Sequence, residues 1–385
     1  MQAVILAAGE GKRVRPFTRS RPKALIPVAN RPIIEYTIQA LLTNGVREII
    51  VVVGYRKEQV IRYLNQLDAE IEVVVQERQL GTANALKCAE PLIKGDFLVL
   101  PGDNSIDTES IGRIKDLNNA MLVKEHPNPS NFGVVQVRDD LIIGIEEKPA
   151  DTAGFTVSTG ILSLTPRVFE YMQGNDLTDA IACMLEGGVE IRAVVAEDWQ
   201  DALYPWDLLR MNERLLSGVR LVKGGEIHRS AIVQGKVCIG GGTVVGPNTI
   251  ITGPVAIGRD SVIGPHCVIL PGTSIGARVR VEPFTLIGNS LIMDDAAIGS
   301  HTRVIDAVIG EGTILGDHTS FVTAPGILEI EGMLVRTEFG GIIGDRVTSA
   351  PFTTYRGCII GNNVSIESSG RLISSVCIDD ETVVV

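Results

Sequence analysis

The sequence predicts two architectures in one chain. The first is an α/β domain on a mainly parallel sheet covered by helices; the second is a left-handed parallel β-helix of hexapeptide repeats. Three observations carry this. Short runs of Val, Ile and Leu alternate with helical patterns through the first half. Beyond residue 226 an aliphatic residue recurs every six positions. Aromatic residues make up only 4% of the chain against 41 glycines, the composition of a core packed with Ile and Val rather than rings. At 385 residues the chain exceeds one ordinary core, so two or three domains are expected.

The elements of the first half follow in order. QAVILA reads as a strand running into glycines, and RPIIEYTIQALLTNG as an amphipathic helix stopped by Gly45. EIIVVVG is a buried strand, EQVIRYLNQL a helix, EIEVVVQ a strand, TANALKCAEPL a helix, and DFLVLPGDN a strand with a polar tip. Continuous aliphatic strands separated by helices predict a Rossmann-like, mainly parallel sheet with both faces covered. Ligands of such sheets bind at the carboxyl ends of the strands. The glycine-rich loop after the first strand and the GDN tip both fall there.

In the second half, steps of six from Ile227 land on Val233, Ile239, Val245, Ile251, Ile257, Ile263, Ile269, Ile275, Val281 and Ile287. Glycine often follows, as at Gly240, Gly246, Gly258, Gly264, Gly276 and Gly288. A strict period of six is the hexapeptide signature of a parallel β-helix, three hexapeptides to a coil, with the aliphatic inward. A sandwich of short strands does not hold that period. The phase slips near Met293, resumes at Ile298 and Val304, and returns at Ile360, Ile366, Leu372, Ile378 and Val384. LEIEGMLVRTEFGG reads as a loop thrown out of the prism. Domains of 1–218 and 227–385 are expected, with a linker at 219–226. Flat prism faces predict a homo-oligomer, a trimer or a multiple of it.

A net charge of −11 argues against nucleic acid or an anionic membrane as a partner. No stretch approaches the roughly 20 apolar residues that span a bilayer, and AVILAA is too short for a signal peptide. Six scattered cysteines without a CxxC pair read as reduced, mostly buried thiols, and the expected location is cytoplasmic.

Against that acidic background, residues 12–23 gather Lys12, Arg13, Arg15, Arg19, Arg21 and Lys23 with no acidic residue among them. Gly9 and Gly11 just before them let the backbone approach a phosphate chain with its N–H groups. Crowded like charges repel unless they splay into solvent or face a polyanion. For Arg19 and Arg21 the solvated reading is the expectation.

The run LAAGEGKR…RPKALIPVANRPIIEY resembles the opening signature of the sugar-1-phosphate nucleotidyltransferases, which join a nucleoside triphosphate to a sugar phosphate and release pyrophosphate. The resemblance continues in order over about residues 1–215. QERQLGTANAL resembles the base-binding segment, GDN the metal-binding strand end, and FGVV and EEKP the sugar-side segments. WQDALYPWDLLRMN is similar to the closing W-x-D…P-x-D-L-L-x-x-N.

This resemblance implies that Leu6, Ala7, Ala8, Gly9 and Gly11 hold the nucleotide. It implies that Arg13 meets the departing pyrophosphate, that Lys23 meets the reacting phosphates, and that Asp103 and Asp201 hold Mg²⁺. The physics agrees: two anionic substrates need neutralisation and in-line alignment, and no protein nucleophile is required. A Gln76 amide offers one donor and one acceptor to the imide face of uracil or thymine, Gly81 leaves room for the base, and Thr82 caps the next helix. The resemblance therefore points to UTP or dTTP as the triphosphate. Gly133, Glu147, Lys148 and Ser158 match the sugar-phosphate contacts. Two departures stand out: Leu203 in DAL replaces a usual glycine, and Ser158 in STGI replaces a usual Asn. Asp207, just before LLRMNERLL, reads as a helix N-cap.

The appended β-helix resembles that of two-activity enzymes that also acetylate glucosamine-1-phosphate from acetyl-CoA. GSHTRVIDAVIGEGTILGDHTSFVTAPG is similar to their catalytic-histidine segment, which implies His301 as a general base. Val304, Thr323 and Glu338 stand where those enzymes have Tyr, Asn and a basic residue. The other readings of the prism are trimerisation and a regulatory subunit without catalysis. A dead copy should have lost one of Arg13, Lys23, Asp103 or Asp201, and all four are present.

Overall fold

The aliphatic runs of the first half assemble into one nine-stranded sheet. Its strands are β1 (Gln2–Ala7), β2 (Glu48–Val53), β3 (Ile71–Val75), β4 (Phe97–Pro101), β5 (Ala120–Glu125), β6 (Gly133–Arg138), β7 (Leu141–Glu147), β8 (Thr156–Leu164) and β9 (Arg192–Val195). In the computed structural model, which describes residues 1–149 and 154–385, the order is β3-β2-β1-β4-β8-β5-β9-β7-β6. β1, β2, β3 and β4 pair in parallel, and β1, β2 and β4 are buried along nearly their whole length, as strands covered on both faces are. β8 then joins both β4 and β5 antiparallel, so the far half of the sheet is mixed.

The helices are α1 (Ile33–Thr43), α2 (Lys57–Leu64), α3 (Thr82–Ala89), α4 (Thr108–Ile114), α5 (Leu177–Glu186) and α6 (Asp207–Leu216). Gly45 follows α1 at φ 77°, the left-handed turn that ends a helix cheaply only with glycine. At the carboxyl edge the strand ends are drawn tightly together. A Cβ on Gly54 would lie 2.8 Å from the Ala8 oxygen, and one on Gly102 2.8 Å from the Ala7 Cβ. These glycines bring the ends of β1, β2 and β4 to one place.

The second half is a parallel β-helix of three sheets with nine, nine and eight strands. Each strand pairs with the strand one coil later, as Val237↔Val255 and Val255↔Thr273 do. The residues picked out by the step of six, among them Ile239, Val245, Ile251, Ile263, Ile269, Ile275 and Ile287, form its buried core. Stacked coils leave no room at their corners: a Cβ on Gly258 would sit 2.5 Å from the carbonyl carbon of Gly276. Phe321 and Tyr355 fill the core further along, fully buried and stacked at 4.8 Å. The segment expected as a loop is instead an antiparallel hairpin, Ala324–Ile330 with Met333–Phe339, in unbroken register from Ala324↔Phe339 to Ile330↔Met333. Alternating exposure lets such a ribbon stand outside the prism with its backbone paired.

By contacts the chain divides into two interleaved units. One comprises Met1–Glu10, Pro22–Leu25 and Ile33–Asp201; the other comprises Gly11–Arg21, Ile26–Pro32 and Ala202–Val385. Within the second, α6 packs on the prism: Leu216 clusters with Ala29 and Ala256. Asn212 is wholly buried there, accepting from the Ala29 amide (2.9 Å) and Ser274 hydroxyl (2.7 Å) while donating to the Gly272 carbonyl (2.8 Å). The six cysteines are free thiols, but only Cys267 and Cys358 are buried and Cys377 is exposed. Burial lifts the Cys358 thiol to about 12, which leaves it unreactive.

Phe321→Ala should remove a fully packed ring from the prism. The expected loss is about 3–5 kcal/mol, read as a lowered denaturant midpoint for the prism by circular dichroism.

Candidate functional site

The first unit's candidate site is built at the carboxyl ends of β1 and β4. The Leu6 carbonyl accepts from the Gly102 amide (2.8 Å) and the Ala8 carbonyl from the Tyr55 amide (2.9 Å), so the backbone of residues 6–8 is fixed on both sides. Gly9 follows with nothing within 4 Å of where its Cβ would be. Asp103 leaves the end of β4, and Asp201 lies on a short strand, Trp199–Asp201, that pairs antiparallel with Asn104–Ile106.

Lys23 closes this arrangement. Its side chain is buried, and its Nζ lies 2.8 Å from Asp103 Oδ2 and 2.9 Å from Asp201 Oδ1. Burial works against the ammonium, but the two carboxylates outweigh it and hold Lys23 well above the ordinary lysine range. The two aspartates expected to hold a metal thus converge on one cationic atom. Among the described residues, no group of three or more His, Cys, Asp or Glu is placed to hold an ion. Two carboxylates suit a hard ion that completes its shell with water and phosphate oxygens, as Mg²⁺ does.

On the base side, Gln76 is buried, and its amide donates to the Gly81 carbonyl (3.1 Å) and to Asn84 Oδ1 (2.9 Å). Its hydrogens therefore fix the turn into α3. Gly81 has φ 118°, and a Cβ there would lie 2.4 Å from the Asn175 oxygen, so the turn admits no side chain. Thr82 does not cap α3: Gly81 occupies the N-cap position. The Thr82 hydroxyl instead accepts from the Leu177 amide (2.8 Å), the first residue of α5. Asn84, adjacent to the expected base contacts, is an interaction that residue type alone did not mark.

On the sugar side, Gly133 and Glu147 are cross-strand partners on β6 and β7. Thr178 donates to Glu147 (2.7 Å), while Lys148 pairs with its other oxygen (2.6 Å). Ser158 sits at a β-bulge whose register shifts between Ser158 and Leu162, and its hydroxyl accepts from the Gly160 amide (3.1 Å). Gly160, at φ 75°, makes that bulge possible.

Residues Gly11–Arg21 of the basic segment lie in the second unit. Gly11 adopts φ 70° ahead of a short helix, Lys12–Val14, that carries Arg13. Arg21 is not solvated but pairs with Asp345 (2.7 Å) and Glu311 (3.0 Å), whereas Arg19 stays half exposed while pairing with Asp380 (3.0 Å). Arg15 pairs with Glu331 at the hairpin tip (3.5 Å). No described carboxylate pairs with Arg13. Asp207 is the first residue of α6 rather than its N-cap, which is Trp206. Its carboxylate reaches back to accept from the Tyr204 amide (2.9 Å).

His301 is a corner residue at φ 54°. Its ring stacks between Phe284 and His318, each at 4.9 Å, in a column that runs from His266 to Phe352. Val304 points into the prism core, and Thr323 donates to Asp306.

A family model described as Nucleotidyl transferase matches residues 2–217, and one described as GMPPB C-terminal domain matches residues 251–383. The chain is 37% identical to "Bifunctional protein GlmU" of Methanococcus maripaludis over 100% of this chain and 95% of that protein. It is 28% identical to "Glucose-1-phosphate thymidylyltransferase" of Streptomyces antibioticus, over 96% and 94% respectively. Among solved structures, a UDP-glucose pyrophosphorylase from Acinetobacter baumanii has TM-score 0.50 at 23% identity. It covers 55% of this chain and 92% of that one, a likeness of fold. No described helix is long and apolar enough to cross a membrane.

Gly81→Ala should cost about 2 kcal/mol or more, because both the φ and the Asn175 contact oppose a Cβ. The check is the unfolding midpoint of the variant against that of Gly95→Ala, a glycine whose Cβ would meet nothing within 4 Å.

Proposed function

The chain belongs to the nucleotidyl transferase family, and on that premise we propose that it transfers a nucleotidyl group from UTP or dTTP to a hexose 1-phosphate, releasing pyrophosphate. The observation that carries this reading is the buried Lys23 held between Asp103 and Asp201 at the strand ends.

A phosphate oxygen of the hexose 1-phosphate attacks the α-phosphorus of the triphosphate. The bond to the β-phosphate oxygen breaks, and its electrons leave with pyrophosphate. Charge repulsion between the substrates is the main obstacle, so preorganised cations supply most of the help. Lys23 is already desolvated and oriented; its ammonium is proposed to move from its carboxylates to the reacting phosphates once these arrive. Asp103 and Asp201 are the residues proposed to hold Mg²⁺, which when bound would neutralise phosphate oxygens. Arg13, with no described carboxylate partner, is proposed to receive the departing pyrophosphate, as the family signature implies. Leu6, Ala7, Ala8, Gly9 and Gly11 are proposed to approach the nucleotide through their backbone.

Base choice is proposed to rest on the turn that Gln76, Gly81 and Asn84 hold, with Thr82 at the start of α3. Gly133, Glu147, Lys148 and Ser158 are proposed to meet the sugar phosphate, either glucose-1-phosphate or N-acetylglucosamine-1-phosphate. A homo-oligomer is proposed through the prism, where Val244, Val262 and Ile314 are exposed on one sheet. The free thiols and phosphorylated substrates support a cytoplasmic setting.

A second reading, acetyl transfer from acetyl-CoA to glucosamine-1-phosphate, is favoured by the full-length likeness to a protein named bifunctional. His301 would act as base through an edge nitrogen, since stacking occupies its ring faces.

A matrix of nucleoside triphosphates against hexose 1-phosphates, scored by pyrophosphate, should give turnover with UTP or dTTP that EDTA abolishes. No turnover in any pairing would overturn the reading. Lys23→Ala and Asp103→Ala should each lower kcat by about 10²–10³-fold or more, with the circular dichroism of the wild type retained. For the second reading, wild type should release CoA in the presence of glucosamine-1-phosphate and His301→Ala should not; absence of release from wild type would remove it.

A further inference from the structure

The segment that carries Arg13 is gripped from the prism by a ladder of three corner side chains, Asp345, Asn362 and Asp380, on successive coils. Each uses two atoms for two purposes. Asp345 Oδ1 accepts from the Glu311 amide (2.8 Å), Asn362 Oδ1 from the Asp345 amide (2.7 Å), and Asp380 Oδ1 from the Asn362 amide (2.8 Å). Those bonds knit coil to coil. The second atom of each faces the basic segment. Asp345 Oδ2 accepts from the Ser20 hydroxyl (2.5 Å) and Arg21 Nη2 (2.7 Å). Asn362 Nδ2 donates to the Pro16 carbonyl (2.9 Å), and Asp380 Oδ2 pairs with Arg19 (3.0 Å).

The middle of this grip is dry. Asp345 is 1% exposed and Asn362 3%. A carboxylate so buried requires a cation and donors, and Arg21 and Ser20 supply them. Within the segment, short turns such as Val14 N–H to Gly11 and Ser20 N–H to Phe17 hold the backbone locally. Its attachment to the prism is made by a residue 325 positions away along the chain.

We propose that Asp345 is a positioning residue for nucleotidyl transfer: by fixing Ser20 and Arg21 it holds the Arg13 segment ready for the triphosphate. This rests on the reading of Arg13 as a triphosphate contact. Three of the segment's arginines are thereby assigned to anchoring rather than to substrate, which leaves Arg13 as the arginine available for phosphate. The grip acts on the triphosphate side alone, so its loss raises one KM and spares the other.

Asp345→Asn separates anchoring from folding. The amide keeps an oxygen for the Glu311 N–H but replaces the acceptor of Ser20 and Arg21 with a donor. Hydrogen exchange at residues 14–21 and steady-state kinetics are compared in the full-length wild type and variant. The expected result is at least tenfold faster exchange at residues 14–21, wild-type exchange in the prism strands, and at least a fivefold rise in the triphosphate KM. The hexose-phosphate KM stays within twofold. Wild-type exchange in the segment overturns the proposal, as does faster exchange with both KM values unchanged. If wild type turns over no substrate pair, the functional reading fails. The exchange comparison then still decides whether Asp345 holds the segment, and wild-type rates would overturn that as well.

Discussion

Six cations in the twelve residues from Lys12 to Lys23 are the constraint on which both halves of this protein are organised. Two unit charges 4 Å apart interact by about 4 kcal/mol at an effective dielectric constant near 20, so such a cluster calls for nearby carboxylates. The structure balances four of the six, each separately. Lys23 is balanced by Asp103 and Asp201 in the first unit. Arg15, Arg19 and Arg21 are balanced by the prism and its hairpin. These pairings differ in worth. Arg19 is half exposed, and pairs of that kind contribute about 0–1 kcal/mol. The Arg21–Asp345 pair is largely buried, and Arg21 has Glu311 as a second carboxylate partner (3.0 Å).

Much of the fold could be read along the chain because it is written locally. The step of six survives in the structure as the inward row from Ile239 to Ile287, since every strand of a β-helix faces the same core and pairs only with the next coil. The buried run EIIVVV marked a central parallel strand for the same reason. The hairpin at residues 324–339 could not be read as such: once outside the prism it has no common core to impose a period. The bulge at Ser158 was equally hidden, although Gly160 two residues later is its physical cause.

The candidate site was legible as a set of residue types and opaque as a set of contacts. Lys23, Asp103 and Asp201 were named from their motifs, but only the fold places both aspartates on one nitrogen. The fates of Arg19 and Arg21 depended on partners more than three hundred residues away, which no local pattern encodes. Thr82 and Asp207 each lie beside a helix start in the sequence, yet Thr82 serves α5 and Asp207 turns back onto Tyr204. A short polar side chain beside a helix end has several orphan amides in reach, and packing selects among them.

The same economy explains the corner of the prism. Glycines allow coils to approach until no Cβ fits, as at Gly258 and Gly310. Where a corner instead carries Asp or Asn, one atom can replace the missing backbone partner of the neighbouring coil, and the other is left pointing outward. At Asp345, Asn362 and Asp380 that outward atom is what binds residues 16–21. A stacking fold whose repeats touch only their neighbours thereby acquires a long-range contact without interrupting its core. His301 occupies another corner, where rings rather than carboxylates stack. One corner of the prism is thus specialised for holding charge and another for packing rings, while the inward row that folds the domain is the same behind both.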